Sequence, residues 1–336
     1  MLLNAMVGGK MNSNNEKKMK FVIVSPRNNS GGAIVLHALC KYLTDLGYDA
    51  QILYIRYLNQ KRGLFFWYKY IAFTIKDLCM LGSKPVLSSF FRRKYKNYID
   101  FPIKNLKRKF LPIVDENTVV VYPEIIRGNF LKGKHVVRWL LYHHTYKDGE
   151  YEKEKDLFVC YRHVFNDSKL NPKEITLYCL YFNLDLYKRT NFGERSGACY
   201  IVRKGRNRSD LPAKFDGIVI DDLFEQEKVE VFNKCKYCIS YDTETAYSDI
   251  AALCGCISIV VPEPGKTITD YRNEYDKRYG IAVGFDDKEI NYAKDTVELL
   301  HKELKKLNKT SRNSVSDFAM YCNSIFYDTV VENNMK

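Results

Sequence analysis

Apolar residues recur along this chain in short runs that end in polar turns, and the runs fall into two series. In the first, FVIVSP (21–26) is an apolar stretch closed by a turn, the pattern of a strand buried in a parallel sheet. Ile34, Leu36, Leu39, Cys40, Leu43 and Leu46 then repeat at helical spacing until Gly47 stops them, and AQILYI (50–55) reads as the next strand. The result is a βαβ unit with a glycine-containing loop at the carboxyl end of its first strand. TVVVYPE (118–124), HVVRWLLY (135–142) and DLFVCY (156–161) add three further strands.

The second series runs through ACYIVRKG (198–205), GIVIDD (217–222), YCISYD (237–242), ISIVVPE (257–263) and YGIAVGF (279–285), with helical stretches between them. Two amphipathic helices, around 287–307 and 314–330, close the chain. The polar run RTNFGERSG (189–197) interrupts the pattern and is where a domain boundary is expected. The pattern predicts an α/β protein of two doubly wound, Rossmann-like domains facing across a cleft. Residues 1–18 form a tail, 19–190 the first domain and 191–313 the second, followed by a C-terminal helix, 314–336, that could pack back on the first domain.

Composition agrees with two ordered cores: 336 residues, 46% apolar and 28% charged. The net charge of +13 favours phosphate-bearing partners, and its location says more than its size. Between Lys61 and Leu111 stand 13 Lys or Arg against two acids, interleaved with aromatics such as Phe65, Trp67, Tyr70 and Phe91. Basic residues mixed with aromatics suit a membrane interface or single-stranded nucleic acid, and a solvated basic face is the plainer alternative. Leu64 to Leu81 nearly reaches bilayer length, but Lys69, Lys76 and Asp77 interrupt it and favour a helix lying on the surface. Met1 to Met19 lacks the apolar core of a secretory signal, so a cytosolic location is expected. The ten cysteines include Cys235, Cys238, Cys254 and Cys256, but with no histidine or knuckle turn beside them they read as small buried hydrophobes, and no metal is expected.

Ligands of open α/β sheets bind at the carboxyl ends of strands, and candidate chemistry collects there. Gly31 and Gly32 present unobstructed N–H groups to an anion near a helix start. Arg203, Lys204 and Gly205 end a strand with two cations that could meet a diphosphate. In SYDTETAYSD (240–249), Tyr241 and Asp242 end a strand, and Thr243, Glu244, Thr245 and Ser248 lead into a helix that Gly255 stops. Asp242 can accept hydroxyl protons and Thr243 or Thr245 can cap the helix, with capping alone as the plainer alternative. Upstream, Glu124 and Arg127 follow a strand, Glu124 as a base or as a buried capping carboxylate. His143 and His144, flanked by tyrosines, are cleft residues or an ordinary loop, and His37 reads as a packing histidine.

The order of VVVYPEIIRGN, HVVRWLLYH, YIVRKG, TETAYSDIAALCGCISIVVPEPG and YGIAVGFDDKEINYA resembles bacterial capsule and O-antigen glycosyltransferases of the two-domain GT-B fold over most of residues 19–310. The resemblance implies a metal-independent, hexosyltransferase-type enzyme without a cofactor, in which a nucleotide-sugar donor sits mainly in the second domain. It implies Asp242 and Glu124 as catalytic residues and Arg203, Lys204 and Thr245 on the donor, with Glu244, Ser248 or Glu263 completing its contacts. Arg127, His143 and His144 fall on the acceptor side. In retaining relatives two glutamates seven residues apart frame the donor; the first position falls here on Asp242 and the second on Ile250, so the second carboxylate is absent. Asp249 is its neighbour but is rotated about 100° around a helix.

The expected function is therefore sugar transfer to a lipid-linked saccharide acceptor in surface-polysaccharide biosynthesis. The enzyme would be peripheral on the inner face of the plasma membrane, with residues 61–111 against its anionic surface and no nucleic-acid partner. Two alternatives stand beside it. One is a nucleic-acid-binding protein, which charge and aromatics alone support; the other is a GT-B-like nucleotide-sugar binder without turnover. A dinucleotide dehydrogenase is disfavoured because SPRNNSGGA lacks the GxGxxG spacing.

Overall fold

The computed structural model describes residues 18–28, 30–55, 68–69, 71–72, 75, 103–111, 113–267, 270 and 278–334. The expected tail, apart from Lys18, and most of the basic aromatic segment 61–111 lie outside the described residues. The chain divides into two compact units, Met1–Tyr181 with Lys309–Lys336, and Phe182–Asn308.

Each of the ten apolar runs forms a strand. In the first unit β1 (Lys20–Pro26), β2 (Ala50–Ile55), β3 (Thr118–Pro123), β4 (His135–Leu140) and β5 (Leu157–Cys160) form one sheet in the order β2-β1-β3-β4-β5. Every pairing is parallel, with Phe21 opposite Ala50 and Val119 opposite His135. The strands are largely apolar because both faces are covered. Helix α1 (Gly31–Asp45) lays Leu36, Leu39 and Leu43 on one face with Phe21, Ile23 and Val121, while Ile126, Phe130 and Leu131 cover Val22, Val24 and Val120 on the other.

The second unit repeats the scheme with β6 (Ser196–Ile201), β7 (Ile218–Val219), α2 (Glu225–Lys234), β8 (Cys235–Ser240), α3 (Tyr247–Leu253), β9 (Ile257–Val260) and β10 (Ile281–Val283). Its parallel sheet has the order β10-β9-β8-β6-β7. Val229 and Phe232 of α2 and Ile250 to Leu253 of α3 close over Cys199, Ile201 and Cys238. The protein is thus built from two parallel-sheet α/β units.

Two boundaries differ from expectation. The unit changes at 181/182, ahead of the polar run, because Tyr187 is buried in the second core with Phe182, Leu184 and Leu186 packed against it. The two closing helices are one, α4 (Asp287–Asn334). Ala293, Leu300 and Leu304 of α4 serve the cores of the second unit, and Val315, Phe318, Ala319, Cys322 and Phe326 the core of the first. Across the stretch read as a gap, Ser314 and Ser311 accept the N–H groups of Tyr178 and Leu180, and Asn308 accepts that of Phe182. Polar side chains there face inward and pair, so the helix continues where its apolar period lapses.

Among the described residues no helix is long and apolar enough to cross a membrane. The nine described cysteines are free thiols, all buried. No group of three or more His, Cys, Asp or Glu among the described residues is placed to hold a metal ion.

Candidate functional site

The carboxyl ends of β6, β8 and β9 carry the second unit's polar chemistry. Beyond β6, a 3-10 turn (Arg203–Asn207) opens with Arg203 in a left-handed backbone conformation, φ +33°. Asp221 holds that turn: its carboxylate accepts the N–H of Val202 at 3.1 Å and of Arg203 at 2.7 Å, and Arg206 pairs with it at 3.4 Å. Lys204 projects outward and pairs with Glu244 at 2.6 Å, a contact that holds the Glu244 carboxyl below its usual pKa. Two of the expected donor residues therefore meet each other.

Gly205 acts differently from expectation. Its N–H already donates to Val202, and a β-carbon would lie 2.3 Å from the Tyr241 carbonyl oxygen. The glycine is needed for close packing of two backbones, and its amide is committed within the turn.

Asp242 is 2% exposed, and its Oδ1 accepts the N–H of Glu244, turning the chain after β8. Thr245 accepts the N–H of Tyr247 through Oγ1 at 3.2 Å, bracing α3 from one residue ahead of its N-cap, Ala246. Thr243 lies half-buried between them. The Ser248 hydroxyl is buried without a hydrogen-bond partner among the described residues. Glu263 is exposed beyond β9, 4.0 Å from Lys266. Ile250 packs in the apolar core, and Asp249 is buried beside it.

Several residues of this region went unread in the sequence. Arg208 donates to the carbonyls of Tyr241, Val261 and Pro262 and pairs with Asp210, tying the ends of β8 and β9 together. Arg195, inside the supposed linker, donates to the carbonyls of Asn191, Phe232, Cys235 and Cys254, which locks the ends of α2 and α3. Beneath the site lies a buried network. Glu225, 1% exposed, accepts from Lys228 at 2.7 Å, from Tyr187 at 2.7 Å and from the Tyr247 hydroxyl, and Lys228 also donates to that hydroxyl at 2.6 Å. Burial alone would raise the Glu225 pKa, but the Lys228 charge and these hydrogen bonds outweigh it and hold the carboxyl low. The i, i+3 acid–base pair on a helix was the visible signal; its tyrosines come from 38 and 19 residues away.

In the first unit, Ser30 caps α1 by accepting the N–H of Ala33 at 3.3 Å. Among the described residues, a β-carbon at Gly31 would meet nothing within 4 Å, and one at Gly32 only Leu141 at 3.6 Å, so none of them makes either glycine sterically required. Glu124 accepts the N–H of Leu141 at 3.0 Å, and burial raises its pKa. His144 contacts Asp167 at 2.8 Å through Nε2 and accepts the N–H of Tyr146 at Nδ1, which fixes the Nε2–H tautomer. Arg127 donates to Glu150 and Thr145. His143 is exposed, edge-on to Phe165 at 5.3 Å. His37 is buried against the Tyr54 hydroxyl at 3.0 Å, and burial lowers its pKa to about 4.

No family's sequence profile matches the chain, and no curated protein matches it by sequence. Among the solved structures it is similar to are several glycosyltransferases. A glycosyltransferase from Rickettsia africae ESF-5 aligns with 94% of this chain and 99% of its own at 11% identity and a TM-score of 0.40. An alpha-glucosyltransferase in complex with UDP aligns over 95% and 100% at 11% identity and 0.37, and MurG of Acinetobacter baumannii over 91% and 100% at 10% and 0.28. Likeness of this degree assigns no activity to the chain.

Proposed function

We propose that the protein is a glycosyltransferase that moves a sugar from a nucleotide-sugar donor to a lipid-linked saccharide acceptor in bacterial surface-polysaccharide (capsule or O-antigen) biosynthesis. The observation that carries the reading is the row Arg203, Lys204 and Arg206 at the carboxyl end of β6, in the same unit as buried Asp242 and the hydroxyls of Thr245 and Ser248. Fixed cations suit a nucleoside diphosphate both as ligand and as leaving group. In the transfer, the bond from the anomeric carbon to the diphosphate breaks and one to the acceptor oxygen forms. The acceptor's proton passes to Glu124, whose burial raises its affinity for it. Asp242 and Lys204 position the donor, and neither metal nor cofactor enters the scheme. The enzyme would work from the cytoplasmic side of the membrane, with the basic segment 61–111 at the anionic surface. A second reading, nucleotide-sugar binding without turnover, is favoured by Ile250, which puts an apolar side chain where retaining relatives carry a carboxylate.

The test is a thermal-shift panel with UDP, GDP, CMP and TDP, free and as sugar conjugates. One nucleotide should stabilise the protein selectively, by about 3 kcal/mol at a hundred times its Kd, with most of the gain lost in Lys204→Ala and Asp242→Ala. No stabilisation at millimolar concentration would overturn the reading.

A further inference from the structure

A left-handed backbone costs a residue with a β-carbon on the order of 1–3 kcal/mol and persists only where neighbours impose it. Arg203 is such a residue, and its neighbours can be named. Asp221 grips the main chain from one side, as described above. On the side-chain end, the guanidinium carbon lies 5.3 Å from the centre of the Tyr247 ring, within the range of a cation–π contact. Strain held in this way at a strand's carboxyl end points to a geometry that the fold maintains for use.

The ring is itself held. Its hydroxyl donates to Glu225 and accepts from Lys228, two charges buried from solvent and satisfied together with Tyr187. A buried ion pair adds little net stability, because desolvation offsets most of the Coulomb attraction. It does fix orientation, since any other rotamer of Tyr247 would leave a buried charge short of a partner.

We propose that Tyr247 is a positioning residue for Arg203: the Glu225–Lys228 pair fixes the phenol, the ring fixes the guanidinium, and the guanidinium meets the donor's diphosphate. This rests on the transferase reading above. Arg203 needs such support because, unlike Lys204 and Arg206, it is offered a ring in place of a carboxylate among the described residues. An incoming diphosphate can take the guanidinium without first displacing an acid from it.

The experiment measures Kd for UDP, GDP and TDP, each beside its own monophosphate, on wild type, Arg203→Ala, Tyr247→Leu, Tyr247→Phe and the Arg203→Ala/Tyr247→Leu double variant. The ratio of monophosphate to diphosphate Kd is the readout, because general damage to the fold weakens both ligands alike. Tyr247→Leu should cut the wild-type ratio by about tenfold, the upper range for a cation–π contact, and Tyr247→Phe, which keeps the ring but loses the hydroxyl that anchors it, should cut it by an intermediate factor of about threefold. The double variant should lose no more than Arg203→Ala alone. A ratio that survives Tyr247→Leu, stays unchanged in Tyr247→Phe, or falls additively in the double variant overturns the inference and leaves the transferase reading standing. Failure of the wild type to bind any diphosphate overturns both.

Discussion

Among single residues, Glu124 joins a structural and a functional argument. Burial raises its pKa above the usual glutamate value, so the folded state favours the protonated form. The stability it contributes is fully present below the unfolded pKa and is lost as pH rises through the higher folded one. Glu124→Gln should therefore be more stable than wild type at neutral pH, with the difference vanishing below about pH 4, where both states hold the proton. Unfolding free energy measured against pH tests this, and transferase activity in the same variant should fall by about 100-fold if the carboxylate is the base. A cap without a role in catalysis would show the first change and not the second. The sequence placed Glu124 correctly after its strand, and the same is true of Asp242 and Lys204. It could not show that Lys204 meets Glu244 or that Gly205 packs on a carbonyl, because those contacts join residues 40 and 36 positions apart.

Among elements, most strands were legible because burial on both faces makes them read as nearly unbroken apolar runs, with β1, β3 and β4 the plainest cases. Helix α4 was not. Its period fails between 308 and 314, where the side chains facing inward are Asn308, Ser311 and Ser314, each accepting a backbone N–H from residues 178–182. Inward polar positions and a chain break look alike until the acceptors' partners are known. Ser311 is fully buried, so Ser311→Ala should leave the Leu180 N–H unpaired and cost about 1–2 kcal/mol, net of a few tenths regained in helix propensity. Exposed Thr310→Ala is the control, and urea unfolding of the two variants should separate them. Arg195 makes the same point about linkers: RTNFGERSG looks like a tether and contains the side chain that locks two helix ends.

Over the whole molecule, charge is divided unevenly. Residues 182–308 hold 20 Lys or Arg against 22 Asp or Glu, so the net charge of +13 belongs to the rest of the chain, chiefly to 61–111. The protein should bind vesicles containing anionic lipid at low salt, ignore zwitterionic ones, and be released by about 0.5 M NaCl, as cosedimentation would show. Three cations near the carboxyl end of β6 behave otherwise, because Lys204, Arg206 and Arg208 already stand against Glu244, Asp221 and Asp210. From a distance these three charges are nearly cancelled, which leaves Arg203 over the Tyr247 ring as the cation of that strand end that a ligand can meet without exchanging places with a carboxylate. On the proposed reading, long-range attraction of a free nucleotide is correspondingly weak. Ionic strength then becomes, on that same reading, a lever that acts more on where the protein would reside than on what it would hold.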